Sequence, residues 1–405
     1  MKKTRIKYTL AFVLIVAALF TNTTYAHAAT GRQLAQNAIA SLQSVAPTTT
    51  TKNVVTLSWS WFEVNFNDET YPLTVDFVGS NFANAQKVIY LLPGGGVNFN
   101  SSFFTPIGNN LAHFFRDAGY LVVGITPRED NVPSGIPYDF MAGWGMAEHK
   151  ADIQKIIGIV QARTKLPYWV LGHSFGAAYA LDYASTCTDN LFQKVIALDI
   201  YSYNESGDAA SSQYIFQQLI AAGQYVDPTY TDLKSLMLIS LLLPKVDSGE
   251  PRTPYPGDFT YQGLLYFSLI WSSELPGIDI TDWPLVQSYA AGVYRFSINP
   301  LFDTYFLTYT DINLLRDASF KVGSGLVPYA VYRDYFDVNG YNINYSINWS
   351  GIRVPLLWVN SQLGYGKNAY SGGIPKTFKV IPGYGHLDLL GSSTAQGDVW
   401  NLFLK

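Results

Sequence analysis

Charge is scarce in this chain. Asp, Glu, Lys and Arg make up only 14% of its 405 residues, 30 acidic against 26 basic side chains. A surface so poor in Lys and Arg offers no basic stripe to grip a phosphate backbone, so nucleic acid is excluded as the expected partner. Cysteine is nearly absent too: Cys187 stands alone. One thiol makes neither an intrachain disulfide nor a Cys-rich metal centre, and Cys187 reads as a buried structural thiol after a helix. A bilayer-length apolar run is missing as well. The apolar stretch Tyr8–Phe20 has 13 residues, too few to span a membrane comfortably. It follows Lys2, Lys3, Arg5 and Lys7 and precedes Ala26-His27-Ala28, so residues 1–28 read as a cleavable signal peptide. Cleavage after Ala28 removes four basic and no acidic side chains. That moves the net charge from −4 to −8 and leaves no transmembrane anchor. The expected location is secreted or in the cell envelope.

What the chain has in plenty is apolar and aromatic surface, 48% and 15% of its residues. That suffices for a large core and speaks against disorder. After the signal, residues 31–46 read as a short helix and Thr48–Thr51 as a polar linker. Val55, Leu57, Trp59 and Trp61 then alternate along one strand, and Leu73, Val75 and Phe77 along another, with "NDET" (67–70) as the turn of an edge hairpin.

Beyond residue 85 the pattern becomes alternating strand and helix. The strands are short, continuously apolar runs at 87–92, 120–125, 168–172, 194–200, 354–359 and 378–381, as buried parallel strands require. The clearest helix spans 147–161, where Ile153, Ile156, Ile157 and Val160 recur at helical spacing. This order predicts an α/β fold with a mostly parallel, doubly wound sheet. One connection breaks the rule on loop lengths: residues 204–350 separate two neighbouring strands. That segment holds 15 of the chain's 29 tyrosines. It reads as an inserted, mainly helical cap between a first core part, 29–203, and a second, 351–405. Its apolar stretches at 236–243 and 263–271 form either a small second core or a wall facing substrate.

Gly172-His173-Ser174-Phe175-Gly176 is a G-x-S-x-G sequence between a strand and a helix. A turn this sharp forces the serine into strained backbone geometry and exposes its Oγ above the sheet. A serine hydroxyl needs a base. Of the five histidines, His27 lies in the signal peptide, His173 within the elbow, and His113 and His149 on helices. His386 remains, in a loop after the last strand that sheet geometry brings beside Ser174. An oxyanion needs two N–H donors. The Phe175 amide supplies one, and the glycine turn "LLPGGG" (91–96) supplies another from Gly95, with Gly96 as the alternate.

Taken in order, "LLPGGG", "GHSFGA" and "GYGHLDLL" resemble the α/β-hydrolase superfamily over roughly residues 85–203 and 350–404, and the C-terminal sequence is similar to that of lipase-type members. Pro93 stands where many members carry histidine. The resemblance implies a triad in the order nucleophile, acid, histidine, with no metal and no cofactor. Most members hold the acid after the strand equivalent to "VPLLWVN", yet here residues 360–366 contain no carboxylate. Some members place it one strand earlier, where this chain has Asp199. Asp199 is therefore expected as the acid, with Asn360 as a neutral orienter and Glu205 as alternatives. Asp388 is expected to brace its own loop. A serine nucleophile points away from epoxide and haloalkane chemistry. It points toward a carboxylesterase or lipase-like hydrolase acting on a small hydrophobic ester. An aminopeptidase-like enzyme with a cap, anchored by Glu250 or Glu274, and a silent ligand-binding relative are the alternatives.

Overall fold

The computed structural model describes residues 48–55, 60–66, 71–80, 85–106, 109–271 and 288–405. The signal segment and the expected helix at 31–46 lie outside the described residues. No helix among those described is long and apolar enough to cross a membrane.

A nine-stranded sheet organises the chain. Its strands are β1 (Thr48–Val55), β2 (Ser60–Phe66), β3 (Leu73–Gly79), β4 (Lys87–Leu92), β5 (Tyr120–Thr126), β6 (Tyr168–His173), β7 (Phe192–Leu198), β8 (Leu356–Ser361) and β9 (Thr377–Ile381). The spatial order is β1-β2-β3-β5-β4-β6-β7-β8-β9. The six strands from β5 to β9 run parallel, and β1–β3 extend them antiparallel. Alternation along the central strands feeds two cores. Val88, Tyr90 and Leu92 pack on one face, with helices α2 (Met146–Thr164) and α3 (Phe175–Thr186). Ile89 and Leu91 pack on the other, with α1 (Leu111–Asp117) and the C-terminal residues Trp400 and Phe403. A sheet covered on both faces buries its strands entirely, hence their unbroken apolar runs.

The N-terminal strands correct the sequence reading. Thr48–Thr51 is not a linker but the start of β1. Val55 and Trp61 sit on two different strands, since Val55 pairs with Ser60 and Val54 with Trp61 across an antiparallel hairpin. The alternation of apolar residues simply continues through that hairpin, so it looks like one strand. The "NDET" turn lies outside the described residues, though β2 and β3 pair antiparallel on either side of it. Two boundaries also shift. β7 stops at Leu198, because Asp199 turns to φ 46°. β8 begins after Pro355, which has no N–H for the ladder, and runs on through Asn360 and Ser361. Cys187 is half-buried, at the end of α3 and 3.4 Å from the Tyr168 and Tyr183 hydroxyls.

Between β7 and β8 come helices α4 (Gly207–Ala221), α5 (Thr229–Leu242), α6 (Tyr261–Ile270), α7 (Ile312–Lys321) and α8 (Tyr329–Asn339), with three short strand pairs. The ends of the insertion belong to the main core: Phe216 of α4 and Val331, Tyr335 and Phe336 of α8 pack there. Its middle has small cores of its own, one around Met237, Leu265, Leu269 and Leu315 and one around Phe259, Phe267 and Tyr294.

Candidate active site

Ser174 sits between β6 and α3 at φ 56°, ψ −130°. L-residues rarely adopt this region, and holding one there costs about 1–3 kcal/mol. The two glycines make it possible. A Cβ on Gly172 would lie 1.9 Å from the Gly176 carbonyl oxygen, and one on Gly176 would lie 2.1 Å from that of Leu92. The Ser174 amide donates to Leu198 O at 2.9 Å, fixing the elbow to the end of β7.

The residue just after β7 is Asp199, fully buried. Its carboxylate accepts from four groups. Oδ1 takes the Ser361 amide at 2.7 Å and the Tyr365 amide at 3.4 Å; Oδ2 takes the Ser361 hydroxyl at 2.9 Å and Nδ1 of His386 at 2.6 Å. A buried carboxylate needs such company to stay charged. Gly364 makes the fit possible, since a Cβ there would stand 2.1 Å from Asp199 Oδ2. A carboxylate beside Nδ1 favours the tautomer of the neutral ring that carries its proton there and its lone pair on Nε2. His386 is anchored from behind by His173, whose Nε2–H donates to His386 O at 3.1 Å with the ring centroids 4.3 Å apart. Burial, with the neighbouring His386 ring, holds His173 well below its ordinary pKa, so it stays neutral.

Ser174 and His386 line one cavity, although no hydrogen bond joins their side chains in this structure. Such links are often open in ligand-free sites and tighten with substrate. The cavity is mostly apolar, walled by Leu233 and Met237 of α5 and by Leu314, Leu315 and Ala318 of α7. Gly94 also lines it: a Cβ there would come within 2.9 Å of Ser174 Cβ. Among the described residues, nothing accepts a hydrogen bond from the amides of Gly95, Gly96 or Phe175. The α-carbons of Gly95 and Gly96 are turned to the Phe175 ring and to Tyr230 respectively.

The residues weighed beside Asp199 do not contact His386 in this way. Asn360 is occupied: its Oδ1 accepts from Trp358 Nε1 and Ile200 N, and its Nδ2 donates to Ile200 O and Gly366 O. Glu205 is exposed. Asp388 accepts from the amides of Gly385 and Ala291 and from the Thr310 hydroxyl. Sequence reasoning missed Gly94, His173 as an anchor, and the donors Ser361 and Tyr365. The glycine at 364, beside a strand end, was the one available signal.

A candidate lipase from Sulfolobus solfataricus superposes over 88% of this chain and 97% of its own, with a TM-score of 0.61 at 17% identity. This chain has the α/β-hydrolase fold. Two further α/β-hydrolase structures overlap more loosely. An open-form lipase covers 85% of this chain and 97% of its own at TM-score 0.46 and 11% identity. The thioesterase domain of the curacin biosynthetic pathway covers 85% and 99% at 0.44 and 13%. No family model and no curated protein matches the chain. In the α/β-hydrolase frame, Asp199 follows the strand after the elbow helix, and β8 bears the uncharged residues Asn360 and Ser361 instead of an acid.

Proposed function

We propose that this protein is an exported serine hydrolase that cleaves carboxylic esters of hydrophobic acyl or aryl groups through an acyl-enzyme. Ser174 Oγ attacks the ester carbonyl carbon while Nε2 of His386 takes its proton. Asp199 keeps the ring in the required tautomer and stabilises the imidazolium as it forms. The amide of Phe175 and those of the Gly94–Gly96 turn meet the negative charge on the carbonyl oxygen. Collapse of the tetrahedral intermediate expels the alcohol, which takes the proton from Nε2. A water molecule then repeats the sequence, and the carboxylic acid leaves.

One observation carries this reading: Ser174 and His386 line the same apolar cavity, and Asp199 holds His386 from behind it at 2.6 Å. Its walls suit an acyl or aryl group. The aminopeptidase-like alternative lacks support, because no carboxylate lines the cavity among the described residues and Glu250 is exposed. Glu274 lies outside the described residues. The Asp199–His386 pair likewise favours catalysis over a silent binding role. Export rests on the signal-like N-terminus and the sparse charge. Ser174→Ala should abolish hydrolysis of p-nitrophenyl esters while circular dichroism and melting stay those of the wild type. Retained hydrolysis would refute the serine mechanism.

A further inference from the structure

The cap reaches past the cavity and touches the catalytic machinery itself. Cap residue Ser288 bonds to two loops at once. Its amide donates to Leu363 O at 2.8 Å, in the loop that cradles Asp199. Its carbonyl accepts from the His386 amide at 2.9 Å, and the Tyr289 carbonyl accepts from Leu387 N at 2.7 Å. The same loops are joined directly by Leu363 N to Tyr384 O at 2.9 Å. The cap segment therefore lies across the acid's loop and the base's loop like a short extra strand.

Asp388 locks that arrangement. Fully buried, it bridges Gly385 N and Ala291 N through Oδ2, each at 2.8 Å, and takes the Thr310 hydroxyl through Oδ1 at 2.6 Å. Two of these three donors belong to the cap, and the third precedes His386. Close approach needs Gly385, where a Cβ would stand 2.8 Å from Ala291 N. A neutral amide could keep both backbone donors only by turning its NH₂ to Thr310, whose hydroxyl would then accept instead of donate, and all three bonds would lose the strength that the carboxylate's charge gives them.

We propose that Asp388 and the cap segment Ser288–Ala291 form a positioning clamp that sets the His386 ring against Asp199, so that seating of the cap and orientation of the base are one event. Asp388 is a positioning residue and touches no substrate. The kinetic side of the proposal rests on the serine hydrolase reading; the geometric side does not.

The test compares wild type, Asp388→Asn and Thr310→Val by ester kinetics and by the far-downfield proton resonance of His386 Nδ1–H. Misplacing a catalytic group by about 1 Å costs on the order of 100-fold, so Asp388→Asn should lower kcat about 10- to 100-fold with KM within about twofold. Its downfield resonance should shift or broaden. Thr310→Val, which removes one donor, should move both readouts in the same direction by less, and it decides the matter if Asp388→Asn fails to fold. A variant that melts earlier while kcat and the resonance stay at wild-type values would reduce Asp388 to a structural brace and overturn the clamp. Failure of the hydrolase reading would appear separately, as a wild type without turnover whose resonance still answers to Asp388.

Discussion

Asp199 Oδ2 lies 2.6 Å from His386 Nδ1, although 187 residues separate them in the chain. Most of that separation is the cap, which leaves the sheet after β7 and rejoins it at β8. The carboxylate and the ring meet because β7, β8 and β9 are spatial neighbours and their C-terminal ends share one edge of the sheet.

That contact predicts an asymmetry between two neighbours. Asp199→Asn keeps the shape but leaves His386 in the wrong tautomer, and kcat should drop by up to about 10⁴-fold at neutral pH. Asn360→Ala removes the pin between β8 and Ile200, so it should lower stability by about 1–3 kcal/mol with little change in kcat. Steady-state kinetics beside chemical denaturation separate the two. Near-normal kcat in Asp199→Asn would move the acid's role elsewhere.

The cavity wall predicts selectivity. Ala318 on α7 is small and lines the apolar slot. Ala318→Phe should lower kcat/KM for long acyl esters by roughly 10-fold or more, the scale on which pockets sense added bulk. Acetyl esters should be nearly unaffected. Equal losses on both would show that acyl chains do not lie along α7.

The seam between core and cap should respond to pH. The Asp130 carboxylate accepts from Asn98 Nδ2 and from Gly323 N at the end of α7. Burial pushes its carboxyl up to about 6, against the pull of those two hydrogen bonds. For an acid raised in the folded state, the stabilising contribution is complete below its ordinary value and is lost as pH climbs through about 6. The melting temperature of Asp130→Asn should therefore gain on that of wild type between pH 5 and pH 7, by a few degrees at most. A gain in the opposite sense would contradict this assignment.

Much of this was readable from residues. The elbow was, because Gly172 and Gly176 are demanded by backbone contacts that any strand–turn–helix of this shape creates. His386 was singled out by elimination among five histidines, and Asp199 by the resemblance, since residues 360–366 hold no carboxylate and some superfamily members place the acid one strand earlier. The donors to Asp199 were not readable. They come from the very loop that looked empty, and only the extension of β8 to Ser361 turns its hydroxyl and amide toward the acid. The break between β1 and β2 was hidden by a period-2 pattern that runs on through a hairpin. The cap's grip on the His386 loop was hidden because backbone groups make it, and those leave no trace in residue type.

Every role proposed for this site depends on acylation of Ser174. Treatment of the folded protein with a fluorophosphonate, followed by peptide mass spectrometry, measures it directly. One adduct is expected, on the peptide carrying Gly172-His173-Ser174-Phe175-Gly176, lost in Ser174→Ala and strongly slowed in Asp199→Asn. A folded wild-type protein that takes no label, or takes it on another residue, would contradict the serine mechanism.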